Sequence, residues 1–192
     1  MPVKSVVLFA FLLGTLIPIK VEAKPLRLAN LDLKAVPWGA PVTRIEIPPD
    51  FDFRHCERDD AFAWQGKING QSAVVVCAFT HRTKLLYEVS CIIGEGSDLS
   101  EALLSYNTFK NKLKHLYGRP SHSYNFTYLP FTKGIGYDNL ALKQGKYNIS
   151  DFWAKFTDTF IGMTITPEGW TCITFESKKF SPVATKEFNE TP

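Results

Sequence analysis

Apolar residues recur at intervals of three and four through Leu99, Leu103, Tyr106, Phe109, Leu113 and Leu116, one face of a 3.6-residue repeat. The spacing predicts one long helix over 97–120. Asp98 with Glu101 three residues on supplies an N-terminal cap, and Gly118 followed by Pro120 supplies a left-handed exit and a stop. Lys110, Lys112, Lys114 and His115 fall largely on the opposite side, toward the C-terminal end where positive charge suits the helix dipole, and read as a solvated face.

On either side of this helix the period changes to two. Phe62, Trp64 and Ile68 alternate with smaller or more polar neighbours, Asn69-Gly70 follows, and Gln71 to Phe79 continues the alternation. Asn-Gly between two such runs predicts a hairpin, because a type I′ turn needs two residues that tolerate positive φ. In that register residue 68 faces 71 and residue 64 faces 75, so Phe62, Trp64, Val75, Cys77 and Phe79 share a face. After a turn at His81–Thr83, Leu85, Tyr87, Val89, Cys91 and Ile93 form one side of a third strand, against Leu86, Glu88, Ser90 and Ile92.

Beyond Pro120 the pattern is less regular. Ser121 to Gly136 reads as a long loop carrying Tyr124, Phe126, Tyr128 and Phe131. Leu140 to Leu142 and Tyr147 to Phe156 read as a hairpin turning at 143–146. Phe160–Thr166 and Trp170–Ser177 flank Pro167-Glu168-Gly169, a three-residue hairpin loop in which Pro sets the first turn residue and Gly takes the left-handed position. Ile161, Met163, Ile165, Thr171, Ile173 and Phe175 line one face of it. The polar stretch 178–192 reads as a flexible tail.

Strands joined by short turns leave no room for parallel crossovers, so the expected class is α+β: one long amphipathic helix packed on antiparallel β-sheet. A faint internal echo raises a degenerate tandem of two such units. Trp64 and strands around Val75 and Tyr87 parallel Trp153 and strands around Ile161 and Ile173, with twelve residues between the strand landmarks each time.

The first 23 residues change the picture of location. Lys4, an apolar run from Val6 to Ile17 and Val21-Glu22-Ala23 form a signal-peptide pattern too short to span a bilayer. The expected product is an exported protein, periplasmic or secreted, with one globular domain over 24–177 and no stable membrane insertion once the signal is removed. From Lys24 to Pro49 the chain is punctuated by five prolines and reads as extended segments and turns. The signal carries Lys4, Lys20 and Glu22, so its loss lowers the formal charge from +3 to +2, too near neutral to imply nucleic-acid binding. An aromatic share of 14 % and a hydrophobic share of 45 % are those of a chain with a packed core.

Four cysteines, Cys56, Cys77, Cys91 and Cys172, all lie in the exported part, where disulfides are the default and the four are candidates for them. In a regular hairpin over 72–93, Cys77 faces position 86 or 87, which places Cys91 several residues away and disfavours that pair. The other two pairings stay open.

Tests for chemistry return little. His55 and Cys56 are adjacent, so on extended chain they point to opposite faces, the wrong geometry for a nucleophile and its base. His81, His115 and His122 read as surface histidines. Cys-x-x-Cys, His-x-x-x-His and calcium-loop spacings are absent, and the acidic residues Asp50, Asp52, Asp59 and Asp60 sit in turn-like sequence, so neither a metal nor a cofactor is implied. Gly134-Ile135-Gly136 lacks the third glycine of a phosphate loop, and no Gly-x-Ser-x-Gly elbow occurs. Three Asn-x-Ser/Thr sequons begin at Asn125, Asn148 and Asn189, which bear on glycosylation in a eukaryotic host.

Trp38-Gly39, the Tyr117-Gly118-Arg119-Pro120 helix exit, Trp153, the strand through Ile161 and Met163, and the ending Phe175-Glu176-Ser177 resemble small exported bacterial proteins of unassigned function. A helix closed by Gly-x-Pro before antiparallel sheet is also similar to the tandem units of β-lactamase inhibitor protein and of small outer-membrane assembly lipoproteins. This chain departs from them in lacking a lipid-attachment cysteine, a clear helix in its first unit and a short loop before Trp153. The resemblance implies no site residues. The expected function is a non-catalytic exported module that binds another protein, as an inhibitor, immunity factor or envelope accessory protein. Its candidate contact residues are Tyr124, Phe126, Tyr128 and Phe131, since aromatic side chains on irregular segments supply rigid contact area. The alternatives are an exported hydrolase using a free Cys with a His, and a small-ligand carrier with a pocket between helix and sheet.

Overall fold

The computed structural model describes residues 36–45, 50–54, 56, 59–96, 98–155 and 158–190. The expected signal segment over 1–23, His55 and most of the proline-punctuated stretch lie outside the described residues. The fold is α+β and mostly sheet. In chain order it runs β1 (Asp52–Arg54), β2 (Ala61–Ile68), β3 (Gln71–Phe79), β4 (Leu86–Ile93), α1 (Leu99–Tyr117), β5 (His122–Thr127), α2 (Asp138–Lys143), β6 (Tyr147–Trp153), β7 (Thr159–Ile165), β8 (Thr171–Ser177) and α3 (Ser181–Asn189). The eight strands make one sheet in the order β1-β2-β3-β4-β8-β7-β6-β5, with every neighbouring pair antiparallel. Two four-stranded meanders therefore meet at β4 and β8, and β1 and β5 are the two outer strands.

Local chemistry accounts for most of the elements. Asn69 and Gly70 both adopt positive φ, 55° and 79°, and the hairpin they close pairs Ile68 with Gln71 and Trp64 with Val75. Gly169, with φ 84°, occupies the left-handed position of the β7–β8 loop. The Asp98 side chain accepts from the backbone N–H groups of Ser100 and Glu101 to cap α1, and Gly118 ends it at φ 80°.

The side-chain alternation sorts the sheet into two faces. Trp64, Val75, Cys91, Ile173, Met163 and Asp151 form one row across it, and Cys77, Val89, Phe175, Ile161 and Trp153 a second row on the same face. Apart from Asp151 these side chains belong to one buried cluster, which also contains Leu99, Ala102, Tyr106, Phe109 and Leu113 of α1 and Ala141 and Leu142 of α2. Each such fully buried aliphatic or aromatic side chain contributes about 1.5–3 kcal/mol through area removed from water. Tyr117 lies 6.5 Å from Phe175, and Trp153 Nε1–H donates to the Gly118 carbonyl at 2.8 Å. Val36, Trp38, Val42 and Ile45 pack against the same cluster from the N-terminal side.

Four sequence expectations are corrected. The stretch 121–136 does not remain a loop: His122–Thr127 pairs with β6 as a strand, and irregular chain begins only at Tyr128. Leu140 to Leu142 is not a strand but part of α2, because its apolar residues are consecutive and only Ala141 and Leu142 face inward. A β-bulge pairs Ala78 with Glu88 but Phe79 with Leu86, leaving Tyr87 as the extra residue, so Leu86 and not Leu85 enters the core. The polar stretch after 177 is a helix over Ser181–Asn189, held by Glu187, whose carboxylate accepts from the Arg82 N–H at 2.6 Å and the Thr83 hydroxyl at 2.9 Å. Periodicity alone does not report such a charged anchor, because the group it binds is a turn a hundred residues away.

Candidate functional site

The register of β5 on β6 pairs His122 with Phe152, Tyr124 with Ser150, and Phe126 with Asn148. Strand alternation then sends Ser123, Asn125 and Thr127 to the face that carries the buried cluster, and His122, Tyr124 and Phe126 to the opposite one. On that outer face the rings form a ladder. Tyr128 meets Phe126 with centroids 5.0 Å apart, Phe126 meets Tyr124 at 6.4 Å, and Tyr124 meets Phe152 at 6.0 Å, all edge to face. Phe152 stacks on Phe160 at 5.7 Å, and both rings lie over Gly162. Edge-to-face geometry sets the positive rim of one ring on the negative face of the next and adds about 0.5–1.5 kcal/mol per pair to area burial.

Of the four candidate contact residues, three belong to this ladder and one does not. Tyr124, Phe126 and Tyr128 keep 47 %, 37 % and 49 % of their surface exposed, whereas Phe131 turns back and packs against the core. The segment that follows adds Leu129, 87 % exposed, with Ile135, Tyr137 and Leu140 also open to solvent. Phe152 and Phe160 escaped the sequence reading. A period-two signal, His122, Tyr124, Phe126, Tyr128, was present and identifies the strand, but the cross-strand neighbours that continue the ladder follow only from register.

β5 is also an outer strand, and among the described residues nothing pairs along its other side. It has no Lys, Arg, Asp, Glu or Pro and no bulge, the devices that usually blunt an exposed edge. β1, at the far side of the sheet, is only three residues long and carries Asp52 and Arg54. No family model, curated protein or solved structure matches this chain. The site is therefore read from its own geometry.

Beneath the ladder, on the cluster side of the same strands, sits Asp151, 1 % exposed. Its carboxylate accepts from Tyr106 Oη–H at 2.6 Å and from the Ser123 hydroxyl, and pairs with Lys110 Nζ at 2.7 Å. Burial, and then the bond to and charge of Asp151, push the Tyr106 phenol well above its usual range, so it remains a donor. This network ties the middle of α1 to β5 and β6, which holds the ladder strand in place from behind.

The cysteines stand apart from one another. In the structure none of the four is bonded to another. Cys77 pairs with Val89 and Cys91 with Val75, so the two are diagonal neighbours, about 7–8 Å apart in an antiparallel ladder. Cys91 faces the cluster, and Cys172, adjacent to its partner Ile173, faces the other way. Burial pushes the Cys77 thiol up to about 12 and raises Cys91 and Cys172 as well, opposite to the shift that activates a nucleophile. Among the described residues no three His, Cys, Asp or Glu side chains cluster closely enough to hold a metal ion, and no helix is long and apolar enough to cross a membrane. A groove of about 420 Å³ lies between the start of α1 and the β2–β3 turn, bordered by Gln71, Glu95, Glu101 and Ser105. It is open to solvent, unlike the enclosed pockets that bury most of a small ligand.

Proposed function

We propose that this chain is a non-catalytic, exported protein-binding module that engages its partner along β5. One observation carries the reading: an unblunted outer strand whose solvent face is a ladder of half-exposed aromatic rings. Strand addition to such an edge draws affinity from backbone hydrogen bonds, and the rings of Tyr124, Phe126 and Tyr128 supply pockets and anchors for alternate side chains of the incoming strand. Inhibitors, immunity factors and envelope accessory proteins all work by holding another protein. The architecture we infer for the module is one long helix laid on antiparallel sheet, derived from a tandem of two units. Its support is that the meanders β1–β4 and β5–β8 are each followed by a helix, and that Trp64 opposite Val75 has its counterpart in Trp153 opposite Ile161.

The test is affinity capture from the native compartment with the wild-type protein and with Phe126→Lys, whose melting temperature is checked first. The expected result is a partner held by the wild type and lost by the variant, with slowed amide exchange at 122–128 in the complex. Equal capture by the two proteins, or protection located elsewhere, removes β5 from the role.

A further inference from the structure

Residues of a strand in an antiparallel ladder alternate in the side to which their N–H and C=O point. The Tyr128 N–H donates to the Lys146 carbonyl at 2.7 Å, which sets the phase. His122, Tyr124, Phe126 and Tyr128 direct their backbone groups to β6. Ser123, Asn125 and Thr127 direct theirs to the open edge, where no described residue bonds them.

We propose that in the absence of another partner this edge is filled by a second copy of the chain, antiparallel about a two-fold axis at Asn125, joining two eight-stranded sheets into one. Asn125 then pairs with Asn125 of the second copy, and Ser123 with Thr127 of the second copy, all in hydrogen-bonding phase. In the narrow pairs between them, Tyr124 lies opposite Phe126 of the second copy and His122 opposite its Tyr128, so the two aromatic ladders run together across the axis. Such isologous pairing is the commonest way in which identical chains associate.

Two features favour a second copy over a foreign strand. The facing segment, His122–Thr127, carries no carboxylate, lysine or arginine, so self-pairing sets no like charges opposite each other and offers a charged foreign strand nothing to match. The side chains match as well: Tyr124, Phe126, Tyr128 and Leu129 are between 37 % and 87 % exposed, and pairing sets the ring flanks of one copy against those of the other. The outward ring faces stay in water, so two copies bury on the order of several hundred Å², the contact of a dimer that forms at high protein concentration.

This inference rests on reading β5 as the interaction edge and adds that an external strand must displace the protein's own copy. Sedimentation velocity over a dilution series of the purified protein tests it, together with Asn125→Pro and Phe126→Lys. Asn125→Pro removes an outward N–H and no backbone bond to β6, and it also removes the Asn125 Oδ1 that accepts from the Tyr147 hydroxyl at 3.1 Å, so its melting temperature is checked first. The wild type is expected to sediment with twice the chain mass at about 100 μM, and each variant to raise the dissociation constant at least about tenfold. Amide exchange at Ser123, Asn125 and Thr127 is expected to speed up on dilution, with Tyr124 and Phe126 unchanged. A monomeric wild type at that concentration, or a dimer that persists in folded Phe126→Lys, overturns the dimer. Partner capture that is unaffected by Phe126→Lys overturns instead the role of β5 in binding, so the two failures are separable. If Asn125→Pro does not fold, Phe126→Lys and the exchange pattern decide.

Discussion

Replacing Asp151 tests whether the polar network around it ties α1 to β6 and, through Ser123, to β5. Asp151 is 1 % exposed, with Tyr106 Oη at 2.6 Å, Lys110 Nζ at 2.7 Å and the Ser123 hydroxyl as partners. In Asp151→Ala the lysine, whose side chain is 30 % exposed, swings to water, so its charge is not stranded and the larger penalties for breaking a buried pair do not apply in full. The group left without a partner is the Tyr106 hydroxyl, itself 1 % exposed, at about 1–3 kcal/mol. Adding the lost charged acceptor for Ser123 and the vacated volume, the expected cost is about 3 kcal/mol. Tyr106→Phe alone should cost about 2 kcal/mol, because the unpaired hydroxyl is removed together with its bond. Urea unfolding followed by tryptophan fluorescence measures both, and the double variant completes a cycle. In the Asp151→Ala background Tyr106→Phe should instead recover about 1–2 kcal/mol, since it removes the stranded hydroxyl. A single-variant cost below about 1 kcal/mol for Asp151→Ala, or two effects that add within about 0.5 kcal/mol, refutes the network as a support of the fold.

Three other outcomes follow from single groups. The Thr171 hydroxyl is buried and has no hydrogen-bond partner, so the isosteric Thr171→Val should stabilise by about 1 kcal/mol, read as a rise of about 2–4 °C in Tm. Desolvation raises the Glu187 carboxyl, but the N–H groups of Arg82 and Thr83, the Thr83 hydroxyl and the Arg82 charge outweigh it and hold the group below its usual value. A depressed carboxyl stabilises above its unfolded pKa of about 4.3 and loses that contribution as pH falls through the folded value. Glu187→Gln should therefore differ most from wild type near pH 7 and converge with it toward about pH 3, and a gap that is constant with pH would sink this account. Thiol titration in denaturant without reductant should count four free thiols, with those of Cys77 and Cys91 unreactive in the native protein; a count of two or none contradicts the arrangement seen.

How much of this was legible in advance depends on how local the cause is. Asn69-Gly70, Asp98 and Gly118 act through their own backbone within a few residues, so the register of that hairpin and the two helix caps are readable to the residue; the register of β3 on β4 is not, and Cys77 faces Val89 rather than position 86 or 87. The bulge at Ala78–Phe79 shifts only the start of the third strand: Val89, Cys91 and Ile93 keep the expected face, whereas Leu86 takes the core position expected of Leu85, because one extra residue leaves no mark in a hydrophobic pattern. The pattern marks the aromatic residues but places them on a loop. Seen as a strand, the same residues split between two faces, with Tyr124 and Phe126 opposite in direction to Asn125, and Phe131 withdrawn to the core. Phe152 and Phe160 joined them through pairing between segments far apart in the chain.

The sequence by itself determined the class, the long helix and the turn chemistry, since these arise from periodicity and from the conformational limits of Gly, Asn and Pro. Only the tertiary structure decided which strand lies at the rim, which side of it faces water, and that Asp151 ends beneath α1. Those are properties of strand order and register, set by contacts between residues that share no neighbourhood in the chain, and free energy of burial chooses among them only once the sheet is assembled.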